Sequence, residues 1–214
     1  MTGTVRNSLA EGLATLLFVF SIVAAINNAG DFAPLAIGFT LMVLIYATGH
    51  LSGAHLNPAV SLGALIRGAL SARDFVAYLI AQLVGGVLGA LLAGAIFGAP
   101  EAAVAIETAP AFLVEAVFTF ILVYVVLNVA TSKDTEGNSF YGLAIGSVVV
   151  VGAFAVGPIS GGGFNPAVAL GLAVHGDFDW ANIWLYFVAP LVGGALAGFA
   201  FRAFNAHDLA KVTA

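Results

Sequence analysis

The sequence predicts an all-α membrane protein of six transmembrane helices and two re-entrant half-helices, arranged as an inverted repeat. First, 61% of the 214 residues are hydrophobic and only 8% are charged, whereas about a quarter are charged in soluble domains. Second, six apolar segments reach the roughly 20 residues that cross a bilayer. Third, the two halves of the chain resemble each other. We therefore expect one transmembrane domain over residues 1–214.

The apolar segments divide into long and short ones. The long segments lie at about 7–27, 33–50, 73–97, 111–131, 139–156 and 179–203. Two shorter apolar stretches follow Asn57 and Asn165. At 1.5 Å per residue, a helix of about 10 residues spans only half of a ~30 Å hydrocarbon core. These two stretches are therefore predicted to enter the membrane without crossing it.

The placement of charge predicts the orientation. With six spans, every basic residue falls on one side of the membrane: Arg6, Arg67, Arg73, Lys133, Arg202 and Lys211. The other side carries only acidic residues: Asp31, Glu101, Glu107, Asp177 and Asp179. Basic loops stay in the cytoplasm. We expect a multi-pass protein of the cell (inner) membrane with both termini cytoplasmic.

The internal repeat covers most of the chain. Residues 49–63 and 157–171 are identical at nine of fifteen positions, at an offset of 108. The same offset aligns 35–38 with 143–146, and 83–86 with 191–194. The repeats extend over about 5–98 and 110–203 and contain three spans each. Because three is odd, the copies have opposite orientations, and inverted repeats place a polar site near the bilayer midplane.

The tripeptide Asn-Pro-Ala occurs in each repeat, as Asn57-Pro58-Ala59 and Asn165-Pro166-Ala167. Asn favours the helix N-cap and Pro the first helical position. Two half-helices meeting at their N-termini place positive potential at the pore centre, and the Asn amides add hydrogen-bond donors. Such a pore passes small neutral molecules and opposes protons and cations. A single motif would equally fit a turn before a core helix, but two copies in register favour the pore.

These motifs, with the inverted repeat, resemble the aquaporin family over nearly the whole chain. The resemblance implies six tilted spans around the half-helices, a pore waist at the two motifs, and a homotetramer with one pore per subunit. It implies that Glu11 and Glu115, which lie in spans, hold the re-entrant loops through backbone N–H groups; a proton relay is the alternative. It also implies that the backbone of His55, Gly161 and Gly163 lines the pore.

The outer constriction departs from the family pattern. Most aquaporins carry Arg three residues after the second motif Asn, where this chain has Val168. The other constriction positions correspond to Ile37, Ala153 and Gly162. This set contains no aromatic ring, no His and no charge, so a wide apolar filter is expected. It resembles bacterial aquaporins that lack the arginine and are associated with arsenite passage.

The predicted function is a passive channel for water and small neutral solutes, suited to glycerol-sized molecules or metalloid hydroxides such as arsenous acid. One alternative is a channel mainly for water. Another is a proton-coupled secondary transporter that uses Glu11 and Glu115. An enzyme is not expected, because the spans hold no nucleophile–base pair and no metal-ligand spacing. Nor do we expect a cofactor, a metal or a nucleic-acid partner; the partners are solutes, lipid and copies of the chain.

Overall fold

The computed structural model describes residues 3–209, so Lys211 lies outside the described residues. This part of the chain forms eight α-helices: α1 (Gly3–Asn28), α2 (Ala33–Ser52), α3 (Pro58–Arg67), α4 (Ala72–Phe97), α5 (Thr108–Ala130), α6 (Tyr141–Ser160), α7 (Pro166–His175) and α8 (Ile183–Phe204). Six of them are long and apolar enough to cross a membrane, whereas α3 and α7 are the short ones. The predicted fold class is confirmed.

The helix ends differ from the hydropathy limits where capping decides them. α1 already includes Gly3, the first described residue, four residues before the apolar segment. α6 ends at Ser160, four residues later than predicted, and contains Pro158 in its last turn. Hydropathy reports which residues prefer lipid, whereas backbone hydrogen bonds decide where a helix ends.

Small residues allow the spans to pack closely. α1 packs against α4, α5 against α8, and α2 against α6. At the α2–α6 crossing, a Cβ on Gly38 would lie 2.6 Å from the carbonyl oxygen of Gly146. The two backbones therefore approach too closely for any side chain. Such close approach of small residues is the usual basis of helix association in membranes.

The outer surface of the bundle is apolar. On α1, Leu9, Leu13 and Leu17 are spaced four residues apart and are all exposed, which places them on one helix face. The buried polar side chains instead surround α3 and α7, and include Glu11, Glu115, Asn57 and Asn165. This arrangement, apolar outside and polar inside, identifies a multi-pass membrane protein.

Both ends of the described chain lie at the same face, because six spans separate them; we call it the terminal face. α3 begins at mid-depth and ends at this face. α7 also begins at mid-depth but ends at the other face, which we call the opposite face. The loops after α1, α4 and α7 lie there as well.

Candidate functional site

The N-termini of α3 and α7 meet at the centre of the bundle. Asn57 Oδ1 accepts the N–H of Ala59 (2.8 Å), and Asn165 Oδ1 accepts the N–H of Ala167 (2.9 Å). Each amide nitrogen crosses to the other half: Asn57 Nδ2 donates to the Phe164 carbonyl (2.9 Å), and Asn165 Nδ2 donates to the Leu56 carbonyl (2.8 Å). An amide nitrogen carries two hydrogens, so each Asn keeps one N–H for a passing molecule.

The loops before the two half-helices have strained backbones. Ala54, Leu56 and Phe164 adopt positive φ values of 50°, 51° and 46°. Non-glycine residues rarely enter this left-handed region, and each such residue costs about 1–3 kcal/mol. Strained backbone of this kind survives only where surrounding contacts enforce it. Here the enforcing contacts come from two buried glutamates.

Glu11 holds the loop before α3. Its Oε1 accepts the Ser52 hydroxyl (2.6 Å) and the N–H of His55 (2.9 Å). Its Oε2 accepts the N–H of Leu56 (2.7 Å) and Nε2 of Gln82 (2.8 Å). Glu11 is fully buried and does not line the central cavity described below.

Glu115 holds the loop before α7 in the same way. Its Oε1 accepts the Ser160 hydroxyl (2.7 Å) and the N–H of Gly163 (2.9 Å), and its Oε2 accepts the N–H of Phe164 (2.6 Å). The hydroxyl of Tyr186 donates to the carbonyl of Ser160. These bonds satisfy loop N–H groups that water cannot reach.

A cavity of about 290 Å³ runs through this region. Asn57 and Asn165 line it, as do all four predicted filter residues: Ile37, Ala153, Gly162 and Val168. His55, Gly161 and Gly163 also line it. The Pro and Ala residues of the two motifs do not; they lie behind the asparagines, and the carbonyl oxygens of Ala59 and Ala167 face Gly194 and Gly86.

A second cavity of about 570 Å³ opens at the terminal face, beneath the loop that joins α5 to α6. Ile45, Ala54, Val126 and Ile145 line both cavities. The two cavities therefore meet at this ring of four side chains. Together they lead from the terminal face, past the two asparagines, toward the opposite face.

Among the residues that line the central cavity, Phe178 and Asp177 were not recognised as site residues from the sequence. Phe178 follows α7, and its N–H donates to the Leu172 carbonyl (3.2 Å). Its ring stacks on Tyr186 with centroids 4.3 Å apart. Asp177 precedes it, and the sequence identified it only as one of several acidic residues on that side. Neither residue belongs to a motif, because a loop brings them back to the pore.

An ionic cluster ties the C-terminal turn to the terminal face. Arg67 Nη2 donates to the Thr131 carbonyl (2.6 Å) and lies 3.4 Å from Asp208 Oδ2. Asp208 also accepts the N–H of Lys133 (3.0 Å). Burial raises the pKa of Asp208, but the nearby Ser132 hydroxyl, the Lys133 N–H and the charges of Arg67 and Lys133 outweigh it and lower the pKa overall.

Comparisons with known proteins agree with this geometry. The family model "Major intrinsic protein" matches residues 1–201. The chain is 39% identical to the probable aquaporin TIP2-2 of Arabidopsis thaliana, covering 90% of this chain and 84% of that protein. It is 34% identical to the glycerol uptake facilitator protein-like 6 of Lactiplantibacillus plantarum, covering 95% of this chain and 100% of that protein.

A solved structure has the same fold. The X-ray structure of the aquaglyceroporin from Plasmodium falciparum superposes with a TM-score of 0.78 at 26% identity, covering 92% of this chain and 95% of that one. Proteins of this family are channels and not enzymes, and they pass water and small neutral solutes. The chain therefore belongs to the major intrinsic protein family, the aquaporins and glycerol facilitators.

Proposed function

We propose that this channel passes glycerol-sized neutral molecules beside water, including metalloid hydroxides such as arsenous acid. The observation that carries the proposal is the filter. Ile37, Ala153, Gly162 and Val168 all line the cavity, and none of them offers a charge or a ring. An Arg at residue 168 would add a long side chain with five N–H donors. Val168 leaves that space to the solute.

The hydrogen-bonding groups of the pore suit a hydroxylated solute. Residues 161–163 are glycines that line the cavity, so a solute meets their backbone, whose carbonyls are acceptors, and the two asparagines offer donors at the centre of the pore. Glycerol and undissociated arsenous acid each carry three hydroxyl groups, which both donate and accept. The apolar side chains around these pore groups form no hydrogen bonds with the solute and therefore do not retain it. A polyol can therefore exchange its hydration shell for pore groups step by step.

A channel mainly for water is the second candidate, and Phe178 favours it. This ring lies in the cavity wall beside the glycine loop and narrows the space that the missing arginine leaves open. A third candidate, a proton-coupled transporter, has less support. Glu11 and Glu115 are fully buried, bonded to loop N–H groups, and absent from the lining of the cavity.

The proposal is tested by stopped-flow swelling of proteoliposomes with water, glycerol, urea and arsenous acid side by side. We expect measurable flux of all four above that of protein-free liposomes, without saturation and without dependence on a proton gradient. Exclusion of every solute larger than water would favour the water channel. Saturating flux that follows a proton gradient would favour the transporter.

We further propose the arrangement in the cell. Two inverted repeats, about 5–98 and 110–203, form one channel domain, and four copies assemble as a homotetramer in the cell (inner) membrane. The basic residues of the terminal face support cytoplasmic termini. A C-terminal tag is expected to be inaccessible from outside intact cells, and an accessible tag would reverse the orientation. Cross-linking in membranes tests the tetramer.

A further inference from the structure

Among the described residues that line the central cavity, Asp177 is the only carboxylate. Only 7% of the residue is exposed. Its Oδ2 lies 2.7 Å from His175 Nδ1, which holds the carboxylate in place. No hydrogen bond reaches Oδ1 from any of the described residues 3–209, and Oδ1 is not among their fully buried, unpaired side-chain atoms. Because Asp177 lines the cavity, this oxygen is accessible from it. Asp177 therefore presents an unfilled acceptor to whatever occupies the cavity.

The charge around Asp177 favours a cation. Asp31, Glu101, Glu107 and Asp179 are exposed on the same face, and all six Lys and Arg residues of the chain lie on the other side in the six-span topology. A cleft lined by one sign of charge concentrates ions of the opposite sign. Asp177 is the carboxylate that lies deepest in this cleft, because it lines the cavity while the other four lie on the surface loops.

The surroundings of Asp177 select the kind of cation. The cavity wall also contains the apolar side chains of Val104, Phe178, Ile37 and Val168, which add no second carboxylate to that of Asp177. Metal ions need several oxygen ligands and hold their water tightly. A guanidinium ion is planar, weakly hydrated and rich in N–H donors. It can donate to Asp177 Oδ1 and to loop carbonyls while its faces contact apolar side chains and the Phe178 ring.

The absent filter arginine leaves room for such an ion. Val168 lies one turn before Leu172 on α7, and the Leu172 carbonyl accepts the N–H of Phe178 (3.2 Å). Val168, Leu172, Asp177 and Phe178 therefore form one continuous strip of the cavity wall. A free guanidinium ion would occupy the region into which an arginine side chain at residue 168 would extend.

We propose that Asp177 forms a binding site for guanidinium-type cations, which enter from the opposite face, bind at the mouth and block the pore. The ion stops there because the N-termini of α3 and α7 oppose cations at the waist. The blocking step thus rests on the proposed function as a pore closed to cations. Urea has nearly the same shape without the charge and passes.

The test measures water and urea flux in proteoliposomes with guanidinium chloride at equal millimolar concentration on both sides. Sodium chloride at the same ionic strength is the control. We expect guanidinium to reduce both fluxes by at least half, and sodium to have no effect. The inhibited fraction is compared within each variant, so changes in basal flux do not matter. Asp177→Asn is expected to abolish the inhibition, whereas Glu101→Gln, which changes an exposed carboxylate on the same face, is expected to retain it.

A second variant decides the matter if Asp177→Asn does not fold. Val168→Arg supplies a tethered guanidinium group, so free guanidinium is expected to have no further effect on its flux. Inhibition that is absent in the wild type, or that persists in folded Asp177→Asn, overturns the binding site; if Asp177→Asn does not fold, persistence in Val168→Arg overturns it. Passage of guanidinium as an electrical current overturns the cation barrier as well. Normal urea flux without inhibition refutes the site alone and leaves the proposed channel intact.

Discussion

The two re-entrant loops perform the same task with different numbers of contacts. Glu11 accepts four hydrogen bonds, two from loop N–H groups, one from Ser52 and one from Gln82. Glu115 accepts three, because residue 190, which corresponds to Gln82 in the repeat, is a proline. Glu11 is therefore bonded to one more polar side chain, Gln82, than Glu115 is.

The flanking side chains continue this difference. In the first half, His55 Nδ1 lies 3.0 Å from Ser61 Oγ, which Gln82 Nε2 also contacts at 3.0 Å. The corresponding residues of the second half are Gly163 and Ala169. Tyr78 and Tyr186 occupy corresponding positions, but only in the second half does a further ring, that of Phe178, stack on the tyrosine and pack against the loop. Both loops are held by a glutamate and by a tyrosine hydroxyl, Tyr78 in the first half and Tyr186 in the second. The first half adds further polar side chains and the second adds an aromatic ring, so the repeat preserves the position of the asparagines and only part of the contacts that hold them.

Replacing each glutamate by alanine is expected to give the largest difference in stability between the two loops. Glu115→Ala leaves the N–H groups of Gly163 and Phe164 unpaired, at about 1–3 kcal/mol each. Glu11→Ala leaves two N–H groups unpaired as well, but Oε1 of Gln82 has no partner, and we expect this amide to turn and accept one of them. We expect Glu115→Ala to lower the free energy of unfolding by about 2–6 kcal/mol and Glu11→Ala by less. Thermal unfolding in detergent measures both, and the reverse order would contradict the role of Gln82.

The same pair of variants tests a proton relay. If either glutamate carried protons, its replacement would leave stability unchanged and make flux independent of pH. Swelling assays across a pH series, run on the material used for unfolding, separate the two outcomes.

Val168→Arg tests what the second half contributes to the mouth of the pore, where Phe178 and Asp177 also line the cavity. The added side chain is expected to reduce glycerol and urea flux by about tenfold, corresponding to about 1.4 kcal/mol of barrier, and water flux by much less. Val168→Leu is the matched control, since it adds bulk without charge. Equal reduction of all solutes in both variants would mean that volume alone sets the filter.

Gln82→Met tests how far the extra contact of the first loop matters. The change removes hydrogen bonds to Glu11 and Ser61, but it also removes a buried carbonyl oxygen without a partner. We expect a loss of about 1 kcal/mol in the free energy of unfolding, with unchanged water flux. Gln82→Glu is expected to lower the free energy of unfolding more than Gln82→Met, because it places a second carboxylate beside Glu11. A larger loss for Gln82→Met than for Glu11→Ala would refute this assignment.

The smallest expected effect concerns the C-terminal ends of the half-helices. There Arg67 of α3 lies 3.4 Å from Asp208, and His175 of α7 lies 2.7 Å from Asp177. Because the pKa of Asp208 is lower in the folded protein, its stabilising effect is complete above about pH 5 and is lost as the pH falls through about 4 and below. Wild-type unfolding temperature should therefore decline over this interval slightly more than that of Asp208→Asn. Asp134→Asn, at an exposed position, serves as the control, and identical profiles for wild type and Asp208→Asn would contradict the expectation.

The sequence was sufficient for the features that depend on local chemistry. Long apolar segments prefer lipid wherever they pack, so the six spans were predicted correctly and only their ends moved. Asn followed by Pro starts a helix locally, so α3 and α7 begin as predicted, at Pro58 and Pro166. The aquaporin resemblance rested on the same motifs, and the family comparisons confirm it. The roles of the filter residues remain predictions, although all four line the cavity.

Tertiary structure decided what a linear pattern does not contain. The asparagines bond across the repeats, over separations of 107 and 109 residues, because the two half-helices are brought end to end by the spans around them. Gln82 reaches Glu11 only because α1 packs on α4. Phe178 and Asp177 enter the pore wall because the chain folds back after α7, and no motif marks such a return. Local preference fixes where helices form, whereas the packing of distant helices determines which side chains meet in the pore.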